Sequence, residues 1–511
     1  MEREERIDSR IEIHDRNQFE VKLDYTIDTK RRTNRYQVDA YFFVPRSLAI
    51  TNDTYSATQF LNDIQAYIRF KTPLTPLAAL VDTNNPKSPL THLERMVPQF
   101  LNDPTNADLS HRIYTELRMF GCLARATIRN MTGQLGEKLE ALHRGNGHRV
   151  LLRDFEEISE ALVRDGRKIM HRFRKMRLSF LDQAMPPALR QAYLHVDEFL
   201  SMVIESYLTL GIEEIDTKKE LRPALDATRQ SFSVTLTDER AYRQGADYEA
   251  LLTPGESNEN YVYRNSFLKK FVMSVLFLEI SKQQERRRAA DAAAAAAAGV
   301  AMLFAAVAAI YAQQLYGLNT LPFVIALVVS YVVKDRIKDW LKNYFSNKVS
   351  RWFPDSSIRI TDPATGQTVG RCNESVSFVG RDKVPADVIA RREEGGPILL
   401  DAESKPEVII RYTKEVRIRR EALSASHGRL SDINDIIRFN ISNFLVRSDD
   451  PYKDLRFYNP ESDSIEDLRC LKAYHVNSVF VFRALGSSLP PKIVRTRVVL
   501  TKKGLLRLEH I

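Results

Sequence analysis

Polar and apolar residues alternate along 19–27 and again along 36–44. Phe19, Val21, Leu23, Tyr25 and Ile27 fall on one face of a strand, and Tyr36, Val38, Ala40, Phe42 and Val44 on one face of another. The turn-forming run DTKRRTN between them predicts a β-hairpin with one buried side. Two strands alone are not stable in water, so a partner surface is expected. A helix over Tyr55–Phe70 and a proline-rich connector follow, and together they make an N-terminal region over 1–105.

The period then becomes helical. Ile113, Leu117, Phe120, Ala124, Met131, Leu135, Leu139 and Leu142 step along one long helix. A second helix runs from about 149 to 184 and stops at Pro186-Pro187. On the third, Leu189, Tyr193, Val196, Leu200, Val203, Tyr207 and Leu210 alternate spacings of four and three. Three heptads with an apolar seam predict coiled-coil-like packing, and an antiparallel helical bundle over 106–213 is the simplest arrangement. Residues 214–260 are polar and read as an irregular connector, with SVTLTDE as a short strand. Phe267, Phe271, Val275 and Leu278 then predict a stalk helix over 261–291.

The stalk leads into 42 residues without a formal charge, Ala292–Val333. Residues 292–316 supply 25 of them and 318–333 supply 16, parted by helix-breaking Gly317, Asn319 and Pro322. A bilayer core about 30 Å thick needs roughly 20 helical residues, so these segments predict a transmembrane hairpin whose second arm is short. Ala294, Ala298, Ala301, Ala305 and Ala309 lie near one helical face, where small residues allow close helix packing. Arg286, Arg287 and Arg288 precede the first arm, and Lys334, Arg336, Lys338 and Lys342 follow the second. Positive flanks stay cytoplasmic, which places both termini and both large domains inside, on a cell inner membrane. A second stalk helix is expected over 334–352.

Beyond 353 the pattern returns to alternation. SIRITDPATGQTVG, EVIIRYTKEVRIRRE and NSVFVFRAL read as strands, RTRVVLTKKGLLRLEHI as a hairpin turning at Gly504, and 430–446 as a helix. The fold class is therefore an α+β multidomain membrane protein with a mainly antiparallel β domain over 353–511. The unfinished N-terminal hairpin is expected to complete its sheet there.

Composition adds less. The chain has 511 residues and a formal net charge of +9, which favours acidic partners where the charge is clustered. It clusters on 164–177: Arg164, Arg167, Lys168, His171, Arg172, Arg174 and Lys175 fall within one helical arc opposite Ile169, Met170 and Phe173. This predicts a packed helix with a basic outer face, suited to anionic lipid or an acidic protein, and less to nucleic acid, since no recognisable nucleic-acid module accompanies it. Three widely spaced cysteines read as reduced thiols, and the N-terminal stretch lacks the apolar core of a secretion signal.

Catalytic signatures are sparse. The chain has no glycine-rich phosphate loop, zinc-binding H-E-x-x-H or G-x-S-x-G elbow. Glu140 with His143, Asp108 with His111, His195 with Glu198, and His14 with Asp15 have spacings used by metal or acid–base sites, but each also fits a cap, a turn or a surface pair. No cofactor or metal is assigned. Three function classes follow: a non-enzymatic sensor, scaffold or signalling adaptor, meeting its partner or a second copy through the bundle or the hairpin; a membrane-anchored enzyme, such as a hydrolase, with its site between helical and β regions; and a membrane-tethered nucleic-acid binder.

Overall fold

The computed structural model describes residues 6–144, 148–248, 251–283, 285–316, 320–352, 354–394, 407–426 and 432–511. It is a mixed α+β protein with large antiparallel sheets. Two compact units form: one from 1–69 together with 278–511, the other from 70–277.

The strands of the first unit are β1 (Arg6–Ile13), β2 (Gln18–Thr26), β3 (Thr33–Val44), β4 (Ile64–Phe70), β5 (Glu279–Gln283), β6 (Ser356–Thr361), β7 (Thr368–Val379), β8 (Val408–Arg419), β9 (Ile433–Asn440), β10 (Tyr452–Asn459), β11 (Ser464–Leu471), β12 (Tyr474–Ala484), β13 (Lys492–Thr501) and β14 (Gly504–His510). Its helices are α1 (Ala57–Asn62), α10 (Glu285–Leu315), α11 (Leu321–Trp352), α12 (Ala386–Glu393), α13 (Arg420–Ser426) and α14 (Ser442–Val446). One sheet has the order β1-β2-β9-β4, a second the order β14-β13-β12-β3-β8-β7-β6-β5, and β10 and β11 form a separate ribbon.

The predicted β2 and β3 exist, but they do not pair with each other. β2 lies between β1 and β9, whereas β3 lies between β12 and β8 in the other sheet. Their apolar faces meet across the gap, as where the Tyr25 and Tyr36 rings lie 4.7 Å apart. The loop between them crosses from sheet to sheet rather than turning a hairpin. The N-terminal strands thus complete sheets built from the C-terminal region: 1–69 shares one unit with 353–511, whereas 70–105 belongs to the other unit. Phe19, Phe42, Phe60, Phe439 and Phe480 form the aromatic core of this sandwich, with ring centres 5.1–6.3 Å apart. The opposite face of β3 packs Tyr41 and Phe43 with Val384 and Val388 beneath α12.

Three further expectations are corrected. The helix predicted over 55–70 is only α1, capped by Ser56, and β4 then pairs into a sheet. The helix predicted over 430–446 is mostly β9, whose inward residues are Ile433, Asp435, Ile437 and Phe439. The stalk over 261–291 is broken: Leu278 N–H donates to Ile68 O, and β5 pairs with β6 before α10 begins. Cross-strand pairing outweighs the helical spacing there. The expected turn at Gly504 (φ +130°) is present, and Gly366 (φ +66°) lies in the turn that leads β6 into β7.

The second unit holds α2 (Leu77–Val81), α3 (Pro89–Asn102), α4 (Ala107–His143), α5 (His148–Lys175), α6 (Arg177–Leu181), α7 (Pro187–Thr217), α8 (Arg222–Gly245) and α9 (Glu259–Met273). Asn106 caps α4 by accepting from Leu109 N–H, and Pro187 opens α7 at a position where its missing N–H costs nothing. The expected connector over 214–260 is mainly α8, and SVTLTDE lies inside that helix. Leu189, Tyr193, Val196, Leu200 and Val203 are buried in the unit, but Tyr207 is half-exposed and Leu210 is 41% exposed. Leu208, Gly211 and Ile215 take over the buried face. Tyr193, Ile204 and Ile215 repeat every eleven residues, the drift of a straight helix away from a heptad.

Candidate functional site

Helices α10 and α11 pack along each other as a hairpin. The covered face of α10 is made of alanine: Ala297, Ala301 and Ala312 are buried, and Ala294, Ala298, Ala305, Ala308 and Ala309 are half-covered. The large side chains point away. Leu303 is 67% exposed, Val307 59% and Ile310 58%, and on α11 Leu321, Val328 and Val332 are exposed by 58–73%. In water the hydrophobic effect puts large apolar groups inside and small ones outside. Here the order is reversed, as in helices that meet through small residues and turn bulky ones to an apolar surrounding.

The arms differ. Over Asp291–Leu315, α10 carries the one stretch among the described residues long and apolar enough to cross a membrane. α11 begins at Leu321, three residues later than the expected second arm, so its helical apolar run is 13 residues, Leu321–Val333. At 1.5 Å per residue that is about 20 Å. α11 then continues unbroken through Lys334 to Trp352. Lys334 is largely covered, its ammonium 3.4 Å from the centre of the Tyr331 ring, while Arg336 and Lys338 are exposed. Arg286, Arg287 and Arg288 belong to the backbone of α10, and their side chains lie outside the described ones.

The basic helix is less free than its sequence suggests. Arg164 pairs with its neighbour Asp165, and Arg167 with Asp238 at 3.0 Å. Arg172 forks onto Glu94, with its Nη2 2.5 Å from Glu94 Oε2. Arg174 reaches Asp197 at 3.1 Å and Glu239 at 2.7 Å, and stacks 3.4 Å over the Tyr242 ring. Burial alone would lower its pKa, but Glu239 and Asp197 raise it. Lys168, His171 and Lys175 are exposed, and among the described residues none of the three forms an ion pair. The expected solvated face therefore holds only for part of the arc, because α3, α7 and α8 supply carboxylates to the rest.

Those carboxylates belong to a network that sequence reading missed. Asp197 also accepts from Tyr242 and Tyr248, Ser201 donates to Glu239, Arg243 donates to Ser201 and Glu205, and Arg264 forks onto Glu198. Four arginines, Arg174, Arg177, Arg243 and Arg264, face four carboxylates, Asp197, Glu198, Glu205 and Glu239, so their charges balance. His195 and Glu198 are not the expected surface pair. Glu198 is buried on Arg264, and His195 stands edge-on to Phe267 and Phe271 at 5.2 and 5.0 Å. Burial, then Arg264, pushes the His195 pKa down to about 4.

The remaining pairs disperse. Glu140 binds Lys218, His143 lies 3.4 Å from Glu220, and His14 lies 3.7 Å from Glu20. Asp108 and His111 occupy the first turns of α4 and are exposed. In the first unit, Lys414 and Asp435 form a fully buried ion pair beside Tyr25, and Tyr412 donates to Glu374. A cavity of about 30 Å³ between the sheets, lined by Phe19, Phe42, Tyr55, Phe60, Phe439 and Phe444, has room for little more than a water.

Comparison of the chain with protein-family models, with curated proteins and with solved structures finds no match.

Proposed function

We propose that the protein is anchored in a membrane by the α10–α11 hairpin and works there as a non-enzymatic scaffold or signalling adaptor. The observation that carries this reading is the alanine seam beneath an outward layer of Leu, Val, Ile and Phe. That surface is stable when hydrocarbon covers it, and exposed apolar areas of this extent mark membrane or partner contacts. The turn enters first. Lys334, Arg336 and Lys338 stop at the headgroups, where basic residues gain from anionic lipid. Both ends of the hairpin then leave on one side, so both units lie on that side, which the basic flanks make the cytoplasmic one.

The non-enzymatic part rests on the pairing of the acid–base groups. Glu198, Glu239 and Asp197 are each tied to arginine in one buried network, which fixes a shape rather than offers a proton, and Glu140 is tied separately to Lys218. A shape held this way suits recognition by a partner.

The test is fractionation of cells making the full-length chain. The wild type is expected to stay with membranes through alkaline carbonate and urea washes and to leave in detergent. Val307→Lys with Val328→Lys is expected to move the chain to the supernatant with its far-UV spectrum intact. Wild-type protein found free in the supernatant contradicts the anchoring.

A further inference from the structure

Among the described residues the ribbon β10–β11 pairs with no other strand, and most of its residues are exposed, on both faces. A two-stranded ribbon is marginal in water without a cover. Its register sets Tyr452 opposite Leu471, Asp454 opposite Arg469, Arg456 opposite Asp467 and Tyr458 opposite Ile465. Residues directly opposite share a face, and alternate residues along a strand do too, so these eight side chains form one face. Apolar rows end it. Between them lies a two-by-two checkerboard: acid beside base, then base beside acid.

That pattern is its own complement. Turn a second ribbon about a two-fold axis across the strands, and Asp454 meets Arg456 of the other copy while Arg469 meets Asp467. Turn it about an axis along the strands, and Asp454 meets Arg469 while Arg456 meets Asp467. In both cases every charge finds its opposite and Tyr, Leu and Ile meet apolar rows. We infer that this face is an isologous contact between two copies of the chain, the self-complementary type that closes a dimer.

The other face does not share this property. It carries Leu455, Leu468, Phe457 and Glu466, and stacking it on itself sets Glu466 against Leu468 or Phe457. A lipid surface fits poorly at the ribbon's end, because the turn between the strands carries Glu461 and Asp463. Within one ribbon Arg456 already lies 3.6 Å from Asp467, but both side chains are about four-fifths exposed (83% and 78%), so they remain open to a second partner.

The experiment uses full-length protein in detergent, with mass measured by light scattering after size exclusion. One variant, Asp454→Arg with Asp467→Arg, makes the checkerboard wholly positive. Another, Arg456→Asp with Arg469→Asp, makes it wholly negative. The wild type is expected as a dimer, each variant alone as a monomer, and an equal mixture as a heterodimer. Recovery on mixing separates recognition from damage to the ribbon, since two unfolded ribbons do not rescue each other. A monomeric wild type, variants that stay dimeric, or a mixture that fails to associate each overturns the assignment.

Discussion

Lys414 Nζ lies 2.6 Å from Asp435 Oδ2, and neither side chain is exposed to solvent. The two residues come from opposite sheets, so their contact fixes β8 of one against β9 of the other. Tyr25 donates to the same carboxylate oxygen at 2.9 Å, whereas Asp435 Oδ1 has no hydrogen-bond partner among the described residues. Burial works against the Lys414 charge, but Asp435, Cys372 and Glu374 outweigh it and raise the pKa.

Removing one member of a buried pair strands the other. Asp435→Leu is expected to cost about 3–5 kcal/mol, and Lys414→Met with Asp435→Leu to recover most of it. Urea unfolding of the single and double variants measures both. Because the folded Lys414 pKa lies above its unfolded value, the stabilisation is complete below the unfolded pKa of about 10.4. It is lost as pH rises from there through the folded pKa. A double variant no more stable than the singles contradicts the pairing.

His195 gives the opposite pH dependence. Its folded pKa, about 4, lies below the ordinary imidazole value of 6.5. The neutral ring therefore supports the fold fully above pH 6.5, and that support is lost as pH falls from 6.5 to 4. His195→Phe is expected to flatten this part of the stability curve. The melting temperature of both proteins at stepped pH checks it, and an unchanged slope counts against a neutral buried ring.

The hairpin seam predicts an asymmetry of size. Ala301 is 1% exposed, whereas its neighbour Val300 is 53% exposed. Ala301→Leu overfills the contact with α11 and is expected to cost about 1–3 kcal/mol, whereas Val300→Leu is expected to be neutral. Thermal unfolding in detergent compares them. Equal effects mean that the seam is not tightly packed.

What the sequence concealed has a common cause. β3, β8 and β12 were legible because Tyr36–Phe42, Ile410–Ile418 and Val476–Phe482 alternate over most of their inward positions. β9 was hidden because Asp435 interrupts an otherwise regular Ile433, Ile437 and Phe439. α8 was hidden because its buried face includes Thr235, Glu239 and Arg243 beside Leu225 and Phe232. In both, a polar side chain points inward and is satisfied by a residue far away in sequence, Lys414 for Asp435 and Arg174 for Glu239. Hydrophobic period cannot show such partners. The apolar hairpin was legible from composition alone. That its bulky residues face outward needed the register of α10 against α11.

The most direct measurement of the central claim is spin-label accessibility of full-length protein reconstituted in vesicles. Labels enter through Cys at Val307, Val328 and Lys338 in a Cys470→Ser background, where Cys122 and Cys372 are buried. Labels at Val307 and Val328 are predicted to be relaxed by lipid-soluble oxygen and shielded from a water-soluble nickel complex, and the label at Lys338 to show the reverse. Equal access of the nickel complex to all three positions would contradict a hairpin seated in lipid.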